Sequence, residues 1–265
     1  MASTAEGTQD IIDALIRLAR ALGEYPRAYS ILGEGNVSAR VDETTFMVKA
    51  SGTSLATATA SSFVGVDLAR VLSLVGQPPD GDDAVATALH ATIVEGPGTP
   101  GTPGTPRPSV ETGMHAVLLD ITGATWVAHT HAMPVTALLC SAQAEDLAAG
   151  TLFPDQAVVC GAHPLFLPYV DPGLPLARTL TAALDAYLHT YGAPPRTIYL
   201  RNHGLVAVGW SAAEVLAITD MAVKAATILT TALACGGARY LPDEEVRRIV
   251  GRPDEHYRQK ILGLR

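Results

Sequence analysis

Apolar positions recur at three- and four-residue intervals in several stretches of this chain, and alternate or cluster in short runs elsewhere. In "TQDIIDALIRLARALGE", Ile11, Ile12, Leu15, Leu18 and Leu22 share one helical face, which predicts an opening amphipathic helix. "EGNVSARVDETTFMVKASG" predicts two short strands joined by an acidic turn at Asp42-Glu43 and closed by Ser51-Gly52. "DDAVATALHATIVEG" and "SVETGMHAVLLDIT" suit helices, the second with Ser109 as N-cap. "WVAHTHAMPV" predicts a buried strand that Pro134 stops soon after His131, followed by a helix through "VTALLCSAQAEDL". "QAVVCG" and "FLPY" suit strand pieces. "DPGLPLARTLTAALDAYLHTYG" predicts a helix entered through a Pro-Gly turn and ended by Gly192. "RTIYLRN" and "GLVAVG" suit strands around His203-Gly204. Ser211 and Glu214 have capping-box spacing at the head of a long helix that ends at Gly236-Gly237, and a short polar helix closes the chain.

Strands and helices alternate, yet some linkers between strands are short enough for hairpins. The expected fold is therefore α/β, with a central, mostly antiparallel or mixed sheet covered by helices. Nothing divides the 265 residues in two, so a single domain over 1–265 is expected. Its one low-complexity interruption is "GPGTPGTPGTPRP", about 96–108, a Gly-Thr-Pro repeat expected to be an exposed loop.

Composition narrows the function classes. Apolar residues make up 48%, enough for a full core, and aromatics only 5%, which suits closely packed small-residue helices. A net charge of −8 without a basic block argues against nucleic-acid binding. No apolar run reads as a membrane span, and "MASTAEGTQD" lacks the pattern of a secretory leader, so a cytoplasmic protein is expected. Cys140, Cys160 and Cys235 are widely separated and odd in number, which suits buried free thiols and leaves any metal to histidine and carboxylate.

Two histidines one residue apart in an apolar strand pose the main chemical question. In a strand, His129 and His131 point to one face about 7 Å apart, where they are either hydrogen-bonded pocket residues or ligands of one ion. His203 stands at a sharp strand-to-strand junction, where Gly204 permits unusual backbone angles. Glu111 falls in the first turn of a helix, where the dipole favours a carboxylate. Three histidines and a carboxylate suit a divalent transition metal, most often zinc, with Glu111 as fourth ligand or base. His115, four residues on, is assigned to packing.

In this order, "GEGNVSAR", "ASGTSL", "PSVETGMH", "VAHTHAMPV" and "RNHGLVAVG" resemble the class II aldolase/adducin family, over about Gly33 to Ala234. "ASGTSL" with "PSVET" looks most like the rhamnulose-phosphate aldolase branch, often fused to a dehydrogenase, whose Gly-rich fingerprint does not occur in these residues. The resemblance implies that His129, His131 and His203 bind Zn2+ or another divalent transition metal. It makes Glu111 the acid/base, and a metal ligand when substrate is absent. It puts Asn36, Ser51, Gly52 and Ser109 at the substrate phosphate, roles their amide, hydroxyl and backbone N–H donors suit. Two departures weaken the phosphate assignment: Val110 replaces a second serine, and Glu34 adds a negative charge. Tyr169, Tyr240 and Tyr257 are candidates for the family's catalytic tyrosine.

The activity implied is that of a zinc-dependent aldolase, a carbon–carbon lyase. It would cleave a ketose 1-phosphate to dihydroxyacetone phosphate and an aldehyde through a metal-stabilised enediolate. A 4-epimerase of the same family is one alternative; that branch tends to carry Asp where this chain has Glu111, though Asp155 offers a second acid/base. A sugar-acid decarboxylase is another, and a non-catalytic adducin-like module a third. The resemblance also implies a homotetramer.

Overall fold

The opening helix forms where its periodicity places it, and the computed structural model describes residues 2–94 and 106–253, with side chains from residue 7 onward. In chain order the elements are α1 (Ala2–Gly23), β1 (Asn36–Arg40), β2 (Thr45–Lys49), β3 (Phe63–Asp67), α2 (Leu68–Gly76), α3 (Asp82–His90) and α4 (Thr112–Ile121). There follow β4 (Trp126–Thr130), α5 (Met133–Leu139), α6 (Pro154–Cys160), β5 (Leu165–Leu167), α7 (Leu174–Tyr191), β6 (Thr197–Leu200), β7 (Gly204–Gly209), α8 (Ala212–Ala234) and α9 (Asp243–Val250). Hydrogen bonding orders the strands β3-β2-β1-β4-β7-β6-β5, so the fold is α/β with a mixed sheet, as expected. Most of the Gly-Thr-Pro repeat lies outside the described residues.

The chain clusters into two compact units, Met1–Val127 with Val170–Asp185, and Ala128–Tyr169 with Ala186–Arg265. Two of the boundaries fall within β4 and α7, and the third, between Tyr169 and Val170, in the loop that joins β5 to α7.

In the first unit, β1 and β2 form the expected hairpin. Asp42 Oδ1 accepts from the Thr44 and Thr45 N–H groups, each at 2.8 Å, which closes the acidic turn. β2 pairs with β3, again antiparallel. Leu15, Leu18 and Leu22 of α1 are buried, and α1 packs on β1. Its end braces the turn after β2: Arg20 Nε donates to Ala58 O at 3.0 Å, and a methyl group on Gly23 would lie 2.3 Å from Ala56 N.

In the second unit, β6 pairs parallel with β5 and antiparallel with β7. α8 packs on β7, α5 and α6. Ser211 caps α8 by accepting from Glu214 N at 3.1 Å. The Glu214 carboxylate accepts from Trp210 N–H at 2.7 Å and faces Arg196, so Glu214 also serves as a buried counter-charge. At 23 residues α8 does reach the length of a span, contrary to the expectation that no stretch would. Its buried Val215, Ile218, Ala222, Ala226 and Leu229 make one face of it a core face.

Several further expectations are corrected. "QAVVCG" belongs to α6: Pro154 opens the helix, Gln156 Oε1 accepts from Leu152 N at 2.8 Å, and Gln156 to Cys160 are all buried, so no alternation distinguishes the two periods. "FLPY" is a strand only through Leu167. "VTALLCSAQAEDL" breaks after Leu139, where Ser141 Oγ donates to Leu138 O at 2.7 Å and accepts from Gln143 N at 3.0 Å, competing with the helical ladder. Cys160 is buried, but Cys140 and Cys235 are exposed because they fall just past helix ends.

Gly23→Ala tests the brace. The substitution improves helix propensity by up to ~1 kcal/mol, yet overpacks a backbone contact. We expect a net destabilisation of about 1–2 kcal/mol, since overpacking costs ~1–3 kcal/mol, read as a lower urea midpoint at unchanged slope.

Candidate functional site

In the second unit, three histidines converge. β4 ends at Thr130, so His131 lies one residue beyond the strand rather than within it. His129 Nε2 and His131 Nε2 are 3.0 Å apart. His203 joins them from the turn between β6 and β7, its N–H donating to Leu200 O at 3.1 Å. The ring centroids stand 4.8 Å (129–131), 4.8 Å (129–203) and 5.1 Å (131–203) apart. All three offered ligand atoms lie within 4.8 Å of one another, and His129 is fully buried.

The protonation pattern follows from geometry. His129 Nδ1 is 3.0 Å from Leu205 O, which only accepts, so Nδ1 carries the proton and the Nε2 lone pair faces its neighbours. At 3.0 Å from that lone pair, His131 Nε2 needs a proton or a cation between the two rings. Such a donor set fits a divalent transition metal.

Gly204 makes the approach possible. A methyl group there would lie 2.5 Å from Thr130 O, 2.8 Å from the His131 ring and 3.1 Å from the His129 ring. The expectation that Gly204 serves unusual backbone angles is thereby refined: close approach is what excludes a side chain, while the left-handed residue of this turn is Asn202, φ +53°.

The first unit gathers a second polar group. Glu111 is 7% exposed and stands as N-cap of α4, a place expected for Ser109. Ser109 instead begins the preceding turn: its Oγ accepts from Glu111 N at 3.3 Å, and its carbonyl accepts from Thr112 N at 3.0 Å. The Glu111 carboxylate makes no cap bond to its own helix. Its Oε2 accepts from Asn36 Nδ2 at 2.6 Å, from the start of β1. This separates Glu111 from an ordinary helix-end carboxylate.

His115, on the same helix, is fully buried with Nδ1 2.7 Å from Ser38 Oγ, in keeping with a packing role. Burial lowers its pKa to about 4, against the opposing pull of Glu111, with Lys49 adding to the depression. Lys49, at the end of β2, is itself 1% exposed and was missed in the sequence reading. Loss of hydration pushes its pKa down to about 8, while Glu111 pulls it upward. Its one sequence signal is a charge interrupting the apolar run "FMVKA".

Ser51 and Gly52 form the exposed turn after β2, with Gly52 at φ +76° and Ser51 N–H donating 2.8 Å to Arg107 O. Ser51 also lines a cleft of about 390 Å³ with Arg107, Val110, Asp171 and Leu174. Val110 is 56% exposed. Glu34, the other departure from the family pattern, has its Oε1 accepting from Ile31 N–H at 2.8 Å within its own loop. Of the candidate tyrosines, Tyr169 is exposed, Tyr240 donates from its hydroxyl to Asp146 O at 2.8 Å, and Tyr257 lies outside the described residues. Asp155 sits in the first turn of α6.

Comparison with known proteins adds a family. The Class II Aldolase and Adducin N-terminal domain matches residues 13–230, running across both units. The chain is 25% identical over 185 residues to the uncharacterized oxidoreductase YuxG of Bacillus subtilis, covering 67% of this chain and only 23% of that protein. It is 24% identical over 241 residues to 3-oxo-tetronate 4-phosphate decarboxylase of Haemophilus influenzae, covering 91% of this chain and 96% of that one. Among solved structures, L-fuculose 1-phosphate aldolase superposes with a TM-score of 0.66 at 21% identity, covering 91% and 94% of the two chains.

Two outcomes follow from this geometry. Gly204→Ala should displace the histidines and weaken metal retention, seen by elemental analysis after dialysis, with a stability loss of about 1–3 kcal/mol. His115 supplies a pH test. Its folded pKa lies below its unfolded one of ~6.5, so the unfolded chain takes up the proton first and stability falls as pH drops from about 6.5 towards 4. Between pH 7 and pH 5 this contributes roughly 2 kcal/mol of loss, and His115→Gln should flatten that part of the urea-midpoint profile.

Proposed function

Because the chain belongs to the class II aldolase and adducin family, we propose that it is a zinc-dependent aldolase acting on a ketose 1-phosphate. The observation that carries this reading is the convergence of His129, His131 and His203, a donor set with no packing purpose that a less polar residue would not serve better. A bound divalent cation supplies Lewis-acid polarisation of the substrate's carbonyl and hydroxyl oxygens. The three imidazoles hold it, with His129 oriented by Leu205 O.

The remaining chemistry is proton transfer. As the C4 hydroxyl gives up its proton to solvent, the C3–C4 bond breaks, which releases an aldehyde and leaves an electron pair shared between C3 and the ketone oxygen, an enediolate. Glu111 delivers a proton to that carbon, giving dihydroxyacetone phosphate; in synthesis it removes the same proton. Asn36 holds one carboxylate oxygen and so fixes the direction of the other. Of the four residues expected at the phosphate, Asn36 is engaged by Glu111; Ser51, Gly52 and Ser109 donate to the phosphate, the exposed Ser51 lining a cleft wide enough for a small sugar. The assembly is a homotetramer, to be tested by light scattering, where a monomer at micromolar concentration argues against it.

A second reading has a specific observation behind it. The relative matched over most of both chains is a 3-oxo-tetronate 4-phosphate decarboxylase. Loss of carbon dioxide from a 3-oxo acid leaves the same kind of electron pair beside a carbonyl, and Glu111 protonates it in the same way.

Release of dihydroxyacetone phosphate from a panel of ketose 1-phosphates, run beside carbon dioxide release from 3-oxo sugar acids, separates the two. His129→Ala should lose the metal and all turnover in either case. Glu111→Gln should keep fold and metal but lose about 10²- to 10⁴-fold in rate. Proton exchange into dihydroxyacetone phosphate in heavy water, followed by NMR, isolates that step; exchange at the wild-type rate in the zinc-loaded Gln variant removes Glu111 from the mechanism.

A further inference from the structure

Ser38 and His115 make a second polar pair between β1 and α4, beside the one that holds Glu111. Asn36 and Ser38 are two residues apart on β1, so their side chains leave one face of the strand, about 6.7 Å apart. Glu111 and His115 are four residues apart at the head of α4, about 6 Å along its axis and on one side of it. The two spacings match, and the pairs close like rungs. Asn36 Nδ2 donates to Glu111 Oε2 at 2.6 Å, and Ser38 Oγ lies 2.7 Å from His115 Nδ1. On the helix side a backbone bond joins the rungs, His115 N–H donating to Glu111 O at 3.3 Å. On the strand side they are joined by Val37.

One rung fixes little more than a point. A helix tied to a strand at Asn36–Glu111 alone is free to swivel about that bond, and Glu111 precedes the first residue of α4, where few backbone bonds constrain it. Two rungs fix both the height and the rotation of the helix end. All four side chains are buried, so water does not compete for these bonds. His115 Nε2 has no hydrogen-bond partner among the described residues, so Ser38 is the ring's one polar anchor. With burial lowering its pKa to about 4, the ring is neutral at pH 7 and bears on Glu111 through position, not as a counter-charge.

Resting on the reading of Glu111 as the proton carrier, we propose that Ser38 and His115 are positioning residues: the second rung locks the first turn of α4 against β1 and so holds the Glu111 carboxylate within reach of the reacting carbon. Without it the turn shifts and carries Glu111 along. Proton transfer then slows, because it depends steeply on reach. Metal and substrate are held by other side chains, so the loss falls on kcat and leaves KM and metal content near wild type.

The test compares His115→Asn with His115→Leu. The two replacements are nearly equal in size and shape. Only asparagine puts an amide where Nδ1 stands, able to donate to Ser38 Oγ or accept from it. Proton exchange into dihydroxyacetone phosphate in heavy water is followed by NMR with the metal-loaded full chain, beside kcat and KM. His115→Leu and Ser38→Ala should each lose about tenfold in exchange rate and kcat, inside the ~10²-fold that a misplacement of ~1 Å produces. His115→Asn should recover most of that loss. Ser38→Ala should add little once Asn36→Leu has removed the first rung, because Glu111 is then already loose. Wild-type exchange in folded His115→Leu and Ser38→Ala overturns the proposal. So do equal rates in the Asn and Leu variants, or losses that add independently of Asn36. Should His115→Leu or the double variant fail to fold, Ser38→Ala, which deletes a single oxygen, decides by its exchange rate. The nitrogen NMR signal of the Asn36 side-chain amide reports the first rung without turnover. A shift of that signal in Ser38→Ala, with neither exchange nor product from wild type, keeps the two-rung hold on Glu111 and sinks the aldolase reading. Product from wild type, with signal and exchange unmoved in both variants, does the reverse.

Discussion

A polar atom withdrawn from water must find a partner, and the functional parts of this chain are organised by that requirement. Asn36 holds Glu111, Ser38 holds His115, two carbonyls hold Lys49, and Leu205 O holds His129. The pairs at Glu111, His115 and His129 link elements distant in sequence, across 75, 77 and 76 residues. Each also fixes a side chain that apolar packing alone would leave free to turn.

Ordinary strand and helix ends do the positioning. β4 stops just before His131, and the β6–β7 turn presents His203, so none of the three clustered histidines depends on a long loop. The missing side chain at Gly204 is what lets the two backbones close on the rings. In the first unit, α4 begins one residue after Glu111, and its carboxylate is directed at a neighbouring strand instead of its own helix. A carboxylate spent on capping would be a poor proton carrier, because its oxygens would be committed to N–H donors.

The family relationship and the geometry bear on different questions. Family membership brings metal-dependent chemistry at carbon next to a carbonyl. The geometry supplies an oriented imidazole cluster and an oriented carboxylate, which suit aldol cleavage and decarboxylation alike, since both end in protonation of the same kind of carbanion. What distinguishes them is recognition of the rest of the substrate. In the proposed function that recognition is assigned to Ser51, Gly52 and Ser109, of which Ser51 lines the cleft.

The linear sequence determined whatever depends on near neighbours. Amphipathic periodicity placed α1, α7 and α8, Asp42 marked the hairpin turn, and His129-x-His131 with His203-Gly204 marked the histidine cluster that could hold a metal and, with the surrounding motifs, the family. It misjudged α6, because a segment buried on every side shows neither period, and it placed the α4 cap two residues early, because Ser109 and Glu111 both suit an N-terminus. It said nothing of Lys49. A lysine at the end of a strand is exposed in most folds, and only the apposition of the Gly33 and Thr53 loops buries this one. Burial, desolvation and the pairing of distant polar atoms are properties of the packed chain. They arise when segments far apart in sequence exclude water from one another, and no local pattern encodes which segments those will be.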